Sequence, residues 1–404
     1  MKKIILLHGS PFSGKGTQQQ AIAAFFRDNY LLGVITFDMG DRLREIKEDQ
    51  NHPLHQAVQI IDGGNPMPLE LICSVWRQFL ETVPEDIEYI ILSGVVRLVP
   101  EVQIFIDYIT SQGTYSSISI FRINITPEEA LKRVEERARV ENRTDDLNEL
   151  AVENRFAVYY GETTKAINTF KQFAQVGLNC KTKINFFEID GERGIHEIRN
   201  EILSRIFSKK LQFTIHGQNG SSKSTIAKLA CQALHFSPES SGDYARKISA
   251  ENGVTVETAT ASATENAATA AVANFDDQID DYVRSFNLKN GFIMDTRMGF
   301  HFLPDSFKIY FKLAPEIAAQ WIWNNPERRE RELQKEDINS VKDLANSLRI
   351  RAENDQKRYL GKYGVDIWDE RNYDLVVEVK EFENKKHDLM VYVLEQFFKW
   401  LTSK

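Results

Sequence analysis

Residues 2–17 read Lys2-Lys3-Ile4-Ile5-Leu6-Leu7-His8-Gly9-Ser10-Pro11-Phe12-Ser13-Gly14-Lys15-Gly16-Thr17. An apolar run ends in a glycine-rich turn, and Gln18–Tyr30 follows with Ala21, Ile22, Phe25 and Phe26 at helical spacing. Strand, turn and helix in that order, with Gly9-x-x-x-x-Gly14-Lys15-Gly16-Thr17, fit a phosphate-binding P-loop with one glycine inserted between the lysine and the hydroxyl residue, rather than a plain strand–helix turn. Glycines let the backbone curl so that successive N–H groups point at phosphate oxygens, the helix adds its positive end, and the lysine reaches the outer phosphates. The expected loop residues are Gly9, Ser13, Gly14, Lys15, Gly16 and Thr17.

The pattern returns in Leu211-Gln212-Phe213-Thr214-Ile215-His216-Gly217-Gln218-Asn219-Gly220-Ser221-Ser222-Lys223-Ser224-Thr225. The two lysines are 223 − 15 = 208 positions apart, the length of one domain. The second loop is expected to use Gly217, Gly220, Ser221, Ser222, Lys223, Ser224 and Thr225, with Ser222 standing where the first has a glycine. A chain of 404 residues accommodates both. The expected architecture is α/β: two tandem P-loop NTPase domains, 1–207 and 208–404, joined at Ser208-Lys209-Lys210, each a parallel sheet flanked by helices.

Composition narrows the function classes. The hydrophobic fraction of 42% and charged fraction of 27% are those of an ordinary globular protein. A net charge of −8 argues against a nucleic-acid-binding surface, and no apolar stretch reaches membrane-spanning length. The opening apolar run is too short for a signal peptide. Cys73, Cys180 and Cys231 are far apart, form no metal spacing and suit a reducing compartment as buried apolar thiols, so the expected location is cytoplasmic.

Beyond the first loop, Asp38-Met39-Gly40-Asp41-Arg42-Leu43-Arg44 opens a helix, Ile60-Ile61-Asp62-Gly63-Gly64-Asn65-Pro66-Met67-Pro68 follows, and Tyr89-Ile90-Ile91-Leu92-Ser93-Gly94-Val95-Val96-Arg97 ends a third apolar run. Thr126-Pro127-Glu128-Glu129 begins a helix with Arg133 and Arg137, Arg143-Thr144-Asp145-Asp146 comes next, and Arg155 lies on a helix expected to end near Tyr160. This half resembles adenylate kinases and related nucleoside monophosphate kinases, with a short, zinc-free lid. The resemblance implies that Gly40, Asp41, Arg44, Gly94, Arg97 and Glu101 hold the acceptor nucleotide and that Arg133, Arg137 and Arg143 close over the transferring phosphoryl group. A charged i, i+4 helix face is the plainer reading of Glu129, Arg133 and Arg137. Three positions depart from the family: Met39 replaces a threonine, Ser93 an aspartate that helps to hold the water shell of Mg2+, and Glu101 a glutamine that reads adenine. A carboxylate accepts but does not donate, so the acceptor base is left open.

The second half resembles cytidylate kinase in its shorter archaeal form, through Ser240-Ser241-Gly242-Asp243-Tyr244-Ala245-Arg246, Asp276-Asp277-Gln278-Ile279-Asp280, Phe292-Ile293-Met294-Asp295-Thr296-Arg297 and Tyr363-Gly364-Val365-Asp366-Ile367. The resemblance implies acceptor contacts from Gly242, Asp243, Arg246, Asp280 and Arg297, with Arg349 and Arg351 as candidates for the lid side. Departures are heavier here: Thr296 replaces a glycine, an Ala/Thr-rich segment fills 258–273, and the lid arginines return only at Arg328, Arg329 and Arg331, as displaced lid residues or a solvated face. Trp321 and Trp323 suit core or interface anchors better than base-stacking residues.

Together the resemblances imply transfer of the γ-phosphoryl group of ATP to a nucleoside monophosphate, AMP-like in the first half and CMP-like in the second, with a lid and an acceptor-binding insertion in each. Lys15, Arg97, Arg133, Arg137, Arg143, Lys223 and Arg297 would be the catalytic set, and Thr17 and Ser224 would face Mg2+. Partners would be ATP and nucleoside monophosphates, without nucleic acid or membrane. Transfer to a phosphate needs positioning and charge neutralisation more than a general base. Two alternatives stand beside this: one half, the second by its departures, is a degenerate nucleotide-binding regulatory or scaffolding domain, or both halves only bind nucleotides.

Overall fold

A computed structural model of the chain describes residues 1–28, 33–59, 68–141, 149–177, 181–253, 275–333 and 338–403, with the side chains at 137–141, 149, 151 and 331 outside the description. Arg143, the segment 60–67 and the Ala/Thr-rich segment therefore lie outside the described residues, as does the side chain of Arg137. The chain divides into two compact units, Met1–Ile206 and Phe207–Lys404.

In the first unit β1 (Lys2–Gly9), β2 (Gly33–Asp38), β3 (Ile87–Ser93), β4 (Tyr115–Asn124) and β5 (Lys183–Asp190) form one parallel sheet in the order β2-β3-β1-β4-β5. In the second, β6 (Gln212–Gly217), β7 (Ser237–Ser240), β8 (Phe292–Asp295), β9 (Phe307–Lys312) and β10 (Leu375–Glu378) pair as β10-β9-β6-β8-β7, again all parallel. Counted from the first strand of each unit, both sheets have the order 2-3-1-4-5. The apolar runs explain the class. A parallel sheet is covered on both faces by its crossover helices, so its strands read as continuous hydrophobic stretches. Ile4, Ile5, Leu6 and Leu7 are all buried, and so are Phe213 and Ile215.

Each sheet packs on an aromatic core. Trp76 meets Phe105 edge to face at 5.3 Å, and Phe105 meets Phe170 at 6.4 Å. In the second unit Phe213 lies 4.1 Å from Phe397, which also packs on Phe307. Cys73 and Cys231 are buried, and burial pushes their thiols up to about 11 and about 12. Trp321 and Trp323 pack against the apolar cluster of Ala318, Ala319 and Leu344, as the core reading expects. Among the described residues no helix is long and apolar enough to cross a membrane.

The strand order creates the crevice. The first strand of each unit lies between its third and fourth, so neighbouring crossovers leave it in opposite directions and open a cleft at its carboxyl end. One element differs from expectation. The helix Glu149–Val158 does not stop near Tyr160; it passes through a π-turn, Tyr159–Thr163, into the helix Thr164–Val176.

Candidate functional site

Both glycine-rich loops sit at these carboxyl ends and follow the same backbone path. Left-handed φ values occur at Gly9 (+155°), Phe12 (+63°) and Gly14 (+86°), and 208 positions later at Gly217 (+147°), Gly220 (+89°) and Ser222 (+67°). Each loop therefore holds one side-chain-bearing residue in a conformation that favours glycine, at a cost of about 1–2 kcal/mol. Ser222 keeps the loop shape despite its side chain. The opening glycines are required by close approach: a Cβ on Gly9 would lie 2.6 Å from the Ile123 carbonyl oxygen, and one on Gly217 would lie 2.3 Å from that of Phe311.

The lysines fold over their own loops. Lys15 Nζ donates to the carbonyls of Gly9 (3.0 Å) and Ser10 (2.7 Å) and to Ser13 Oγ (3.3 Å). Lys223 Nζ donates to the carbonyls of Gly217 (2.7 Å) and Gln218 (3.0 Å). The enclosed position of Lys223, together with Arg297 and Arg328, holds its ammonium below the usual value against the pull of Asp295 and Asp355. Gly16 and Thr17 are exposed at the start of the helix Lys15–Asp28.

The second unit gathers the fuller set. A cleft of about 1070 Å³ is lined by Gly217, Gly220, Ser222, Lys223, Ser224 and Thr225, by Gly242, Asp243 and Arg246, and by Asp295, Arg297 and Arg328. Arg328 Nη2 donates to Thr225 Oγ1 at 3.4 Å, so one of the three late arginines reaches the loop. Arg329 instead lies 5.9 Å from the Trp323 ring. Arg297 pairs with Asp355, which also pairs with Arg358 at 3.2 Å. Ser221 is fully buried.

The first cavity is smaller, about 200 Å³, and is lined by His8, Gly9, Lys15, Gly94 and Arg97 together with Arg155, Tyr159 and Thr163 from the returning helix and its π-turn. Arg133 donates to Glu129 Oε1 (2.8 Å) and to the Gly191 carbonyl (2.8 Å), and its Nη1 lies 3.8 Å from where a Cβ on Gly14 would be. The helix-face pair and the place beside the loop therefore both hold for Arg133.

The helices that follow the second strand of each unit start alike. Asp38 caps Met39–Glu48 by accepting from the N–H groups of Gly40 (2.9 Å) and Asp41 (3.1 Å), and Ser240 caps Ser241–Glu251 by accepting from Asp243 N–H (3.1 Å). One turn further, Arg44 pairs with Asp41 and Arg246 with Asp243. Arg246 lines the large cleft, whereas Arg44 is not among the residues lining the first cavity.

Four expected site residues are engaged elsewhere in the structure. Glu101 does not face an acceptor: it is fully buried, and its carboxylate accepts from the N–H groups of Val96 (2.8 Å), Arg97 (2.7 Å) and Leu98 (3.4 Å). It caps the helix Val99–Ser111, and burial pushes its carboxyl above the usual range while those three amides pull it back. Asp280 is also buried, and accepts from Lys362 Nζ (3.2 Å) and the Tyr363 hydroxyl on the closing helix Val341–Tyr363. Arg349 pairs with Glu316 outside the cleft, while Arg351 pairs at 2.7 Å with Glu332, which lines it.

The sequence reading missed Asp295. Register puts Leu7 opposite Ser93 and Ile215 opposite Asp295, each two residues before its loop glycine. Asp295 thus occupies in the second unit the place of Ser93 in the first, and its Oδ2 accepts from Ser224 Oγ at 2.8 Å. A hydroxyl and a carboxylate side by side suit a hard cation such as Mg2+. Ser93 offers a neutral oxygen, buried and without a hydrogen-bond partner among the described residues, so the first unit fits the ion less well. No group of three or more His, Cys, Asp or Glu residues among those described could hold a metal ion.

A parallel sheet with a lysine-bearing glycine loop at its switch point, and arginines at the end of its third strand, defines a phosphate-binding α/β protein of the P-loop class. No family model matches the chain. It is 31% identical over 209 residues to adenylate kinase of Helicobacter hepaticus, covering 52% of this chain and 100% of that protein. It is 30% identical over 214 residues to adenylate kinase of Campylobacter hominis, again covering 52% of this chain and 100% of that protein. The chain belongs, through about half its length, to the adenylate kinase family. It is also 28% identical over 185 residues to the S-adenosylmethionine-dependent nucleotide dehydratase of Lacinutrix mariniflava, covering 45% of this chain and about a third (35%) of that protein's length.

Proposed function

We propose that the chain is an ATP-dependent nucleoside monophosphate kinase with two P-loop domains in tandem, 1–207 and 208–404. The observation that carries this reading is the second cleft, where the loop lysine Lys223, the strand-end Arg297 and the acceptor-side Arg246 line one space. Phosphoryl transfer needs its two charged groups held in line and their repulsion neutralised, which a lysine on the donor and two arginines toward the acceptor do without an acid or base. In the first unit Lys15 and Arg97 line the corresponding cavity, with Arg133 beside Gly14. Mg2+ bound with ATP would be held by Ser224 and Asp295 in the second unit and by Thr17 in the first, neutralising phosphate charge. AMP for the first site and CMP for the second remain the proposed acceptors, and the cytoplasm the proposed location.

A second reading has a specific observation behind it. Ser93 leaves the first unit without the carboxylate that the second supplies through Asp295, so the first is the better candidate for a nucleotide-binding regulatory domain. This reverses the sequence expectation, which put the degenerate half second. The similarity to a nucleotide dehydratase adds that a related segment occurs within an enzyme that acts on nucleotides.

A coupled ADP-release assay over AMP, CMP, UMP, GMP and their deoxy forms separates these readings. Lys223→Ala is expected to abolish turnover of one acceptor set and Lys15→Ala that of another. If Lys15→Ala changes nothing, the regulatory reading of the first unit stands; if neither substitution lowers turnover, the kinase reading fails.

A further inference from the structure

We propose that His8 and His216 are phosphate-binding residues, each offering a hydrogen bond from a neutral imidazole to a phosphate oxygen of the nucleotide in its cleft. The inference deepens the kinase reading and rests on both clefts being nucleotide sites.

The two histidines are one residue in duplicate. Each is the last residue before the opening glycine of its loop, and 216 − 8 = 208 is also the separation of the two loop lysines. Each lines the cavity of its own unit beside that lysine. Each is 3% exposed, and in each Nε2 is buried without a hydrogen-bond partner among the described residues. A buried polar atom left unpaired is costly, and Leu or Phe would fill a purely apolar space without that cost. The same unsatisfied group at the same point of both copies is more simply explained by a partner that arrives with the ligand.

The surroundings indicate which partner. His8 shares its cavity with Lys15 and Arg97 and also feels the charge of Arg122, and the Phe170 ring lies 5.8 Å away. His216 faces Lys223 and Arg297, and its ring packs against Trp368 at 4.7 Å, Tyr310 at 5.5 Å and Tyr373 at 5.7 Å. Burial first, and then these cations, hold both imidazoles neutral, His8 at about 3 and His216 well below its ordinary value. A neutral imidazole has one N–H donor, and a phosphate oxygen can only accept. An anion entering beside these cations would accept from the imidazole N–H and give the buried nitrogen its partner. Thr163 Oγ1, also buried and unpartnered among the described residues, lines the first cavity too and adds a hydroxyl donor there.

The test is nitrogen NMR on the full chain labelled with 15N-histidine and 15N-glycine, the two histidine signals being assigned with His8→Phe and His216→Phe. ATP, AMP, CMP and inorganic phosphate are titrated separately, with the backbone amides of Gly14 and Gly220 followed alongside. Both rings should stay neutral from pH 8 down to pH 5.5, and a ring nitrogen of each should shift when its site fills; Lys15→Ala and Lys223→Ala should each remove the shift in their own unit. His8→Phe and His216→Phe should weaken nucleotide binding at their own sites about tenfold, and His→Gln, which keeps an N–H donor, should restore most of it. If the glycine amides respond to nucleotide while the imidazole nitrogens do not, the histidines only pack, and the proposal is wrong while the nucleotide sites stand. If neither responds to any ligand, the site reading itself is wrong and the proposal falls with it.

Discussion

Replacing Glu101 by Gln tests whether this residue holds the fold or reads a base. The carboxylate takes two short hydrogen bonds, from Val96 and Arg97, and a longer one from Leu98. Glutamine keeps one acceptor oxygen and turns an NH2 group toward at least one backbone N–H. A hydrogen bond to a charged group contributes about 1.5–3 kcal/mol, and a buried donor left unpaired costs about 1–3 kcal/mol. Relief from burying a charge offsets part of this, since burial already pushes the Glu101 carboxyl up. The net expectation is a loss of about 2–3 kcal/mol, confined to the first unit. For a unit of Met1–Ile206 that corresponds to a fall in its Tm of roughly 5–10 °C. Thermal unfolding of the full chain should show it, and hydrogen exchange should rise in peptides spanning 96–111 while those of the second unit stay protected. The order of preference among acceptor nucleotides should not change. A Glu101→Gln chain of unaltered stability that gains turnover on AMP would refute the capping role and restore the base-reading one.

Two further outcomes follow from the clefts. Removing the carboxylate beside Ser224 with Asp295→Asn, in a Lys15→Ala background, should raise the Mg2+ concentration needed for half-maximal turnover by about tenfold, and an unchanged Mg2+ curve would remove Asp295 from the metal's surroundings. Acid should destabilise the fold through its buried histidines. With its folded value at about 3, His8 stays neutral while the unfolded chain takes up a proton below about 6.5, so stability is unaffected above that pH and falls as pH drops toward 3, by about 2 kcal/mol at pH 5. Denaturant titrations of wild type and His8→Phe at pH 7 and pH 5 should differ by that amount, and parallel losses in both chains would contradict it.

What was legible in the sequence was local. The two loops, the helix start at Thr126-Pro127 and the buried strand runs each depend on neighbouring residues, and all are present. What was not legible depended on pairing at a distance. Glu101 and Asp280 are carboxylates in sequence positions that suit a ligand, but the first turns back onto its own helix start and the second onto Lys362, 82 residues away. The place of Asp295 became clear only through strand register, which sets it opposite Ile215 and within reach of Ser224. His8 and His216 read as strand residues, and no spacing rule marks a side chain as buried without a partner. Their recurrence just before both glycine turns was the one available signal.

The π-turn Tyr159–Thr163 does its work through angular phase. Arg155, Tyr159 and Thr163 all line the first cavity, and they are spaced by fours. In an ordinary α-helix each step of four overshoots a full turn by about 40°, so the third member would point roughly 80° away from the first. The wider winding of one π-turn takes back most of that drift. A single rod can thereby direct a guanidinium, a phenol ring and a hydroxyl into the same space over about two turns, and Thr164–Val176 still continues with its apolar side on the sheet.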